Sequence, residues 1–301
     1  MAENQGVGMK KIGFIGTGVM GLPMARNVIK GGFEVTAFDI NPEALQTIRQ
    51  DGGSAADSAK AAAEGANLVV TMLPNGGHVL EAVFGENGAL EGMSEGAVLV
   101  DMSTILPTVT DEISQRLAAA GRRLVDAPVG RTSKHAEDGK LLIMAGGEAK
   151  DVEAARSVLE CMGDTIIHCG PAGSGARMKL INNYMSIACN AVTAEALTLA
   201  ERSGVDRDLA IEVMMGTTAG QGHLATTYPA KVLKGDVTPG FMVDLAHKDM
   251  GLALDFAAAM KTPIPMGAAA RQVYTSAQVQ GRGRDDWTAI LETVRTLAGL
   301  K

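Results

Sequence analysis

Lys10-Lys11-Ile12-Gly13-Phe14-Ile15-Gly16-Thr17-Gly18-Val19-Met20-Gly21 is the stretch whose reading decides the fold. Residues 10–15 are a strand candidate, and Pro23–Gly31 predicts a helix. Between them, Gly16, Gly18 and Gly21 fit G-x-G-x-x-G in the strand-to-helix context that gives this pattern meaning. The first glycine allows the tight turn. The second lets backbone approach a pyrophosphate, and the third lets helix pack on strand. The free N–H groups of the helix N-terminus then face the phosphate charge. A ligand-free strand–helix turn has the same spacing, so the next strand has to decide between them.

That strand is Glu34–Phe38, and Asp39 stands at its end, about 20 residues past the glycines as the dinucleotide fingerprint requires. A carboxylate here accepts hydrogen bonds from the adenosine ribose hydroxyls and repels a 2′-phosphate. Ile40 and Asn41 offer no arginine to receive one, so NAD(H) is preferred over NADP(H). Asp39 could instead cap the helix predicted from Pro42 to Asp51, although Asn41 can do that and leave Asp39 free. Further strands are predicted at 67–73, 97–101, 123–127, 141–145 and 164–168, with helical spacers. The expected architecture is therefore a doubly wound, mostly parallel Rossmann sheet with helices on both faces. Loops at the strand C-terminal ends line the ligand crevice in such sheets, which nominates Leu73-Pro74-Asn75 and Ser103-Thr104.

The pattern changes after the turn-rich Gly170-Pro171-Ala172-Gly173-Ser174-Gly175. Ala176–Arg202 is a long breaker-poor run, followed by helical stretches at 207–215, 244–260 and 266–280 and a last helix from Asp285. The chain is thus read as a nucleotide-binding domain over 1–172, its first eight residues a flexible tail, and an all-helical domain over 173–301. Long apolar helices must bury their outer faces, so a homo-oligomer, dimer or tetramer, is expected.

Composition excludes several functions. The net charge is -7 and aromatic residues are only 3%, which argues against a nucleic-acid binder. No apolar run approaches the length that spans a bilayer. Three cysteines without a C-x-x-C pair suit reduced thiols in the cytoplasm. The five histidines lack metal-ligand spacing, so no metal is expected.

Lys179, Asn182, Asn183 and Ser186 lie at i, i+3, i+4 and i+7 on the long apolar helix. A solvated face would be rich in Glu and Lys; a Lys-Asn-Asn-Ser stripe suits a wet cleft. Carbonyl reduction by a nicotinamide needs a proton on oxygen, and an ammonium at Lys179 stabilises the alkoxide and supplies that proton. Asn183, one turn on, can orient substrate or lysine. Lys248 is a second cation that either reaches the cleft or pairs at the surface. His223 is placed on a loop near the substrate.

Taken together, Phe14–Gly21 with Pro23-Met24-Ala25 and Asn27, then Asp126-Ala127-Pro128-Val129, Lys179 with Asn183, and Lys248-Asp249 resemble the β-hydroxyacid dehydrogenases. The likeness covers essentially the whole chain from Met9. It implies a Rossmann domain, a helical domain built on a long interdomain helix, and homo-oligomers acting on a small anionic aldehyde or alcohol. By position, Lys179 matches the catalytic acid/base, and Val19, Met20, Asp39, Leu73, Thr104 and Lys248 match cofactor contacts.

One departure bears on the substrate. Where most of that family reads Ser-Gly-Gly after Asp126-Ala127-Pro128-Val129, a backbone nest for a carboxylate, this chain reads Gly130-Arg131-Thr132-Ser133. This loop, residues 179–186, Gly220-Gln221-Gly222-His223 and Gly281-Arg282-Gly283-Arg284-Asp285 resemble the sulfolactaldehyde reductase branch. The resemblance implies NADH-dependent reduction of a sulfonate-bearing aldehyde, with Arg131, Asn182 and Ser186 as donors to the anion. Arginine also binds carboxylate, so 3-hydroxyisobutyrate, tartronate semialdehyde and succinic semialdehyde stay open as substrates. A nucleotide-binding redox sensor without turnover is the reading from another class, and an intact Lys179 speaks against it.

Overall fold

In the computed structural model, which describes residues 11–300, nine strands form one sheet. β1 (Lys11–Ile15) leads to α1 (Gly21–Lys30), β2 (Glu34–Phe38), α2 (Pro42–Gln50) and the two-residue β3 (Ser54–Ala55). α3 (Ala59–Ala63), β4 (Leu68–Thr71), α4 (Gly76–Phe84), α5 (Ala89–Gly92), β5 (Val98–Asp101), α6 (Pro107–Ala119) and β6 (Arg123–Asp126) follow. These six strands run parallel in the order β3-β2-β1-β4-β5-β6. The order reverses between β1 and β4, the switch point at which such sheets bind ligands.

The sheet then changes sense. β7 (Val129–Gly130), α7 (Ser133–Glu137), β8 (Leu141–Gly146), α8 (Ala149–Met162) and β9 (Gly163–Gly170) complete it. β8 runs antiparallel to β6 and β7, and β9 runs parallel to β8. β3 and β7 are two residues each, too short to show a period, and the sequence reading passes over both.

Alternation builds two cores. Ile12, Phe14, Leu68, Val70, Val98, Val100 and Val125 point to one face, under α1 and α8. Ile15, Val69, Leu99 and Leu124 point to the other, with Val79, Val83, Ile113 and Leu117 of α4 and α6. The side-chain period of two puts neighbours on opposite faces, and both faces are covered, so the strands read as continuous apolar runs. Asn27 of α1 adds a link across the chain, its Nδ2 donating to the Ala136 carbonyl at 2.7 Å.

α9 (Ser174–Arg202) is the long helix expected from the sequence, begun two residues earlier. The chain divides into two compact units within it, at Tyr184/Met185. Beyond α9 come α10 (Arg207–Met215), α11 (Thr218–Gln221), α12 (Val243–Ala259), α13 (Pro265–Val279) and α14 (Ile290–Leu297), with short 3-10 turns at Tyr228–Ala230, Val232–Lys234 and Trp287–Ala289. Glu195 of α9 caps α13, accepting the N–H of Met266 at 2.9 Å.

The last helix starts later than Asp285. Asp286 is buried and accepts the N–H of Gly240 at 2.9 Å and of Thr288 at 3.0 Å, so it caps the 3-10 turn and holds it against the loop before α12. The expected N-terminal tail, residues 1–8, lies outside the described residues. No helix among the described residues is long and apolar enough to cross a membrane.

Candidate active site

A cavity of about 870 Å³ opens where β1, β2 and β4 end. Gly16, Gly18, Val19, Met20, Gly21, Asp39, Leu73 and Pro74 all line it. The three glycines differ in what they permit. Gly16 has φ +93°, and a Cβ there would stand 2.3 Å from the Met72 carbonyl oxygen. A Cβ on Gly21 would stand 2.0 Å from the Gly16 carbonyl oxygen. At Gly18 a Cβ would meet nothing within 4 Å. Fold packing therefore requires Gly16 and Gly21, whereas at Gly18 the space is open on the cavity side and suits a ligand that needs bare backbone. α1 begins with no side-chain cap, and the Thr17 hydroxyl is buried without a protein partner. This donor set fits the pyrophosphate of a dinucleotide.

Asp39 follows β2 directly. Its Oδ2 accepts the Thr17 N–H at 2.6 Å and its Oδ1 the Asn41 N–H at 2.7 Å. Asn41, not Asp39, caps α2, accepting the Glu43 N–H at 3.0 Å. Each carboxylate oxygen keeps a lone pair for a ribose hydroxyl. Sequence reading misses Asp57, Glu81 and Glu86, which also line the cavity, and among the described residues no Lys or Arg does so. Glu81 and Glu86 come from α4 and the loop after it, Asp57 from a loop before α3, and the fold gathers them. Ile40, 94% exposed, and Val19, 81% exposed, give the cavity apolar walls.

Leu73 is fixed from the neighbouring strand, its N–H donating to Ser103 Oγ at 2.9 Å. Ser103 in turn donates its N–H to the buried Asp101 at 3.1 Å, and Thr71 Oγ1 donates to the same carboxylate oxygen at 2.9 Å. Burial pushes the Asp101 carboxyl up to about 6. Thr104, on the same loop, is exposed and does not line the cavity.

Lys179 lies on α9, half-buried, and burial pulls its pKa below the ordinary lysine value. Asn183 is half-buried and Asn182 exposed, with their side chains 3.5 Å apart. Ser186 is exposed one turn on, past the division into units. Arg131 has φ +74°, a left-handed conformation that favours glycine. Its guanidinium donates to Asp164 Oδ1 at 2.6 Å, to Thr165 Oγ1 at 3.4 Å and to the Lys140 carbonyl. Thr132 precedes α7, its hydroxyl 2.9 Å from His135 Nδ1, and Ser133 opens α7, exposed.

The second unit holds the other two predicted site residues. His223 packs edge-on against Trp287 with ring centroids 4.8 Å apart, its Nδ1 2.9 Å from Thr227 Oγ1. Lys248 of α12 is 59% exposed and pairs with Asp249 at 3.0 Å.

Residues 11–170 match the family described as the NAD binding domain of 6-phosphogluconate dehydrogenase. Residues 173–294 match that described as the NAD-binding of NADP-dependent 3-hydroxyisobutyrate dehydrogenase. The chain belongs to the 3-hydroxyisobutyrate dehydrogenase-like family of β-hydroxyacid dehydrogenases. It is 50% identical over 292 residues to 3-sulfolactaldehyde reductase of Escherichia coli, covering 97% of this chain and 98% of that protein. It is 36% identical to 2-(hydroxymethyl)glutarate dehydrogenase of Eubacterium barkeri, covering 96% of each. A Mycobacterium tuberculosis 3-hydroxyisobutyrate dehydrogenase structure with L-serine superposes with a TM-score of 0.68 at 33% identity, over 96% of this chain and all of that one. As a β-hydroxyacid dehydrogenase, the chain is an oxidoreductase with a Rossmann nucleotide-binding region and a small-molecule substrate.

Proposed function

We propose that this dehydrogenase reduces 3-sulfolactaldehyde to 2,3-dihydroxypropane-1-sulfonate, reversibly and in the cytoplasm, with NADH preferred over NADPH. The observation that carries the substrate is Arg131. A cation occupies a left-handed backbone position, φ +74°, in the loop where the family resemblance implies the glycine of a carboxylate nest. A non-glycine residue is strained there, and a strained side chain at a candidate site points to function. A sulfonate is tetrahedral, permanently ionised and offers three acceptor oxygens, which suits a guanidinium fork with Asn182 and Ser186 as further donors. The likeness to 3-sulfolactaldehyde reductase over nearly the whole chain supports the same reading.

The glycine turn, Val19, Met20, Asp39, Leu73 and Pro74 hold the cofactor, with Thr104 and Lys248 as further contacts. The nicotinamide supplies the hydride when bound. The Lys179 ammonium donates a hydrogen bond to the aldehyde oxygen, stabilises the charge that develops there and delivers its proton. Asn183 orients the substrate oxygen, while Thr132, Ser133 and His223 border the substrate. Asp39 and the acidic cavity wall favour NAD(H), because a 2′-phosphate would add charge beside carboxylates that no lining Lys or Arg among the described residues offsets. Residues 1–172 form the cofactor domain and 173–301 the substrate and oligomerisation domain. Exposed Tyr184, Ile187, Val192, Leu209 and Val213 support a homo-oligomer, dimer or tetramer.

One observation favours a second reading. Asp164 already holds the Arg131 guanidinium, which leaves backbone N–H groups to receive a carboxylate as in other family members. The deciding experiment compares NADH oxidation with 3-sulfolactaldehyde, succinic semialdehyde and tartronate semialdehyde. A kcat/KM advantage of about 100-fold for the sulfonate, ~3 kcal/mol of discrimination, is expected. A preference for a carboxylate replaces the substrate assignment and leaves the fold and Lys179 standing.

A further inference from the structure

Asp126 ends β6, and its carboxylate is spent on the start of α9. Oδ1 accepts the Gly173 N–H at 2.6 Å and Oδ2 the Ala176 N–H at 2.7 Å. A helix N-terminus leaves its first N–H groups without intrahelical partners, and its positive end favours an anion. Most helices meet this need with a residue beside their own first turn. Here the acceptor comes from a strand 50 residues earlier.

The socket is tight. A Cβ on Gly146 would stand 2.5 Å from Asp126 Oδ1. A Cβ on Gly175 would stand 2.3 Å from the Met144 carbonyl oxygen and 2.5 Å from that of Asp126. The helix therefore starts directly against the Met144 and Asp126 carbonyl oxygens and the Asp126 carboxylate, which leaves no room for a shift.

A second attachment lies in the same turn. Arg177 forks onto Asp111 of α6, Nη1 to Oδ1 at 3.1 Å and Nη2 to Oδ2 at 2.7 Å, and also donates to the Gly173 carbonyl at 3.0 Å. One attachment leaves a helix free to turn about its axis; two do not. Lys179 follows Arg177 by two residues, so both its height and its direction depend on this turn, at roughly 1.5 Å and 100° per residue.

We propose that Asp126 and the Asp111–Arg177 fork are positioning residues that aim the Lys179 ammonium, beyond any part they have in folding. This rests on the reading of Lys179 as proton donor. Misplacement by about 1 Å at a reacting group costs on the order of 100-fold in rate.

The test uses the full-length enzyme as Asp126→Asn, Arg177→Gln and Lys179→Met. Asparagine turns one acceptor into a donor facing an N–H. Arg177→Gln removes an exposed ion pair of the kind that adds little stability. Measured for each are kcat, KM, NADH affinity by fluorescence and the deuterium isotope effect on kcat with deuterated NADH.

Expected for Asp126→Asn is a fall in kcat of about 100-fold. A smaller fall is expected for Arg177→Gln, and in both the isotope effect rises while NADH affinity holds. A merely structural role would lower the folded fraction and leave the isotope effect of the surviving enzyme unchanged, which overturns the proposal. If Asp126→Asn does not fold, Arg177→Gln decides alone, and wild-type kcat and isotope effect in it overturn the proposal. Wild-type turnover in Lys179→Met would instead remove the proton-donor reading, a different failure from inactive Lys179→Met beside normal Arg177→Gln.

Discussion

Thr17 donates its backbone N–H to Asp39 Oδ2 at 2.6 Å, across 22 residues of sequence. The bond ties the middle of the glycine turn to the end of β2, so the loop and the carboxylate proposed to hold phosphate and ribose are fixed relative to each other. Asp39 also accepts the Asn41 N–H, and these two donors hold it in place at the cavity wall. The proposed preference for NAD(H) rests on this arrangement. NADH is expected to exceed NADPH in kcat/KM by about 100-fold, because a 2′-phosphate would meet Asp39 with Asp57 also on the wall and no Lys or Arg lining it among the described residues. Asp39→Asn keeps the accepting oxygen toward one donor and removes the charge, so the ratio narrows mainly through better use of NADPH. Steady-state kinetics with both cofactors checks it, and an unchanged ratio would assign the discrimination elsewhere.

The lysine reading has a direction in pH. Burial lowers the Lys179 pKa, so the ammonium needed for reduction is lost at a pH below the ordinary lysine range. Reduction should fall along an alkaline limb in that region, while alcohol oxidation, which needs the neutral amine, rises through it. Lys179→Met is expected to lose roughly 100- to 10,000-fold in kcat, with NADH affinity retained. A limb that persists in the residual activity of Lys179→Met belongs to another group.

Arg131 makes a prediction that separates stability from binding. Its left-handed backbone is a strain on the order of 1 kcal/mol that glycine would not bear. Arg131→Gly should therefore melt close to the wild type even though the bond to Asp164 is lost, yet show a KM for the sulfonate raised at least about 10-fold, the share of one charge-assisted fork. Asp164→Asn frees the guanidinium and is expected to lower KM. A higher KM in Asp164→Asn would mean that Asp164 presents the arginine to the substrate and does not compete for it.

What the sequence revealed of this molecule was mostly local. Glu34–Phe38 and Arg207–Met215 have in the sequence the boundaries that the fold has, and in the structure the Asp206 side chain caps the helix. The glycine turn was legible since each glycine answers a steric demand within a few residues. Contacts between distant segments were not. Asp126 reads as part of a motif, yet nothing near it in sequence says that it caps a helix 50 residues on. Nothing local to Asp57, Glu81 and Glu86 marks them as lining residues, and only the fold brings them to one wall. The antiparallel run of β8 was hidden for the same reason, since strand direction is set by connections and leaves no mark in strand composition.

Asp101 carries the last prediction, one about stability. It ends β5 in register with Asp126 on β6, fully buried, and accepts from Thr71 Oγ1 and the Ser103 N–H. Desolvation outweighs these donors and raises its carboxyl from 3.8 to about 6. The folded chain therefore holds this proton at a pH where the unfolded chain has released it. Linkage fixes the sign: the contribution is whole below the unfolded value and is lost as pH climbs through the folded one. The loss between pH 4 and 7 is at most about 3 kcal/mol, from roughly 1.4 kcal/mol for each unit of separation. Asp101→Asn does not titrate, so its melting temperature should gain on the wild type as pH rises across that window, whatever the substitution costs at acid pH. Melting curves of both proteins from pH 4 to pH 8 measure the difference. A gap that stays constant would show that the buried carboxyl remains charged, with Ser103 and Thr71 compensating its burial in full.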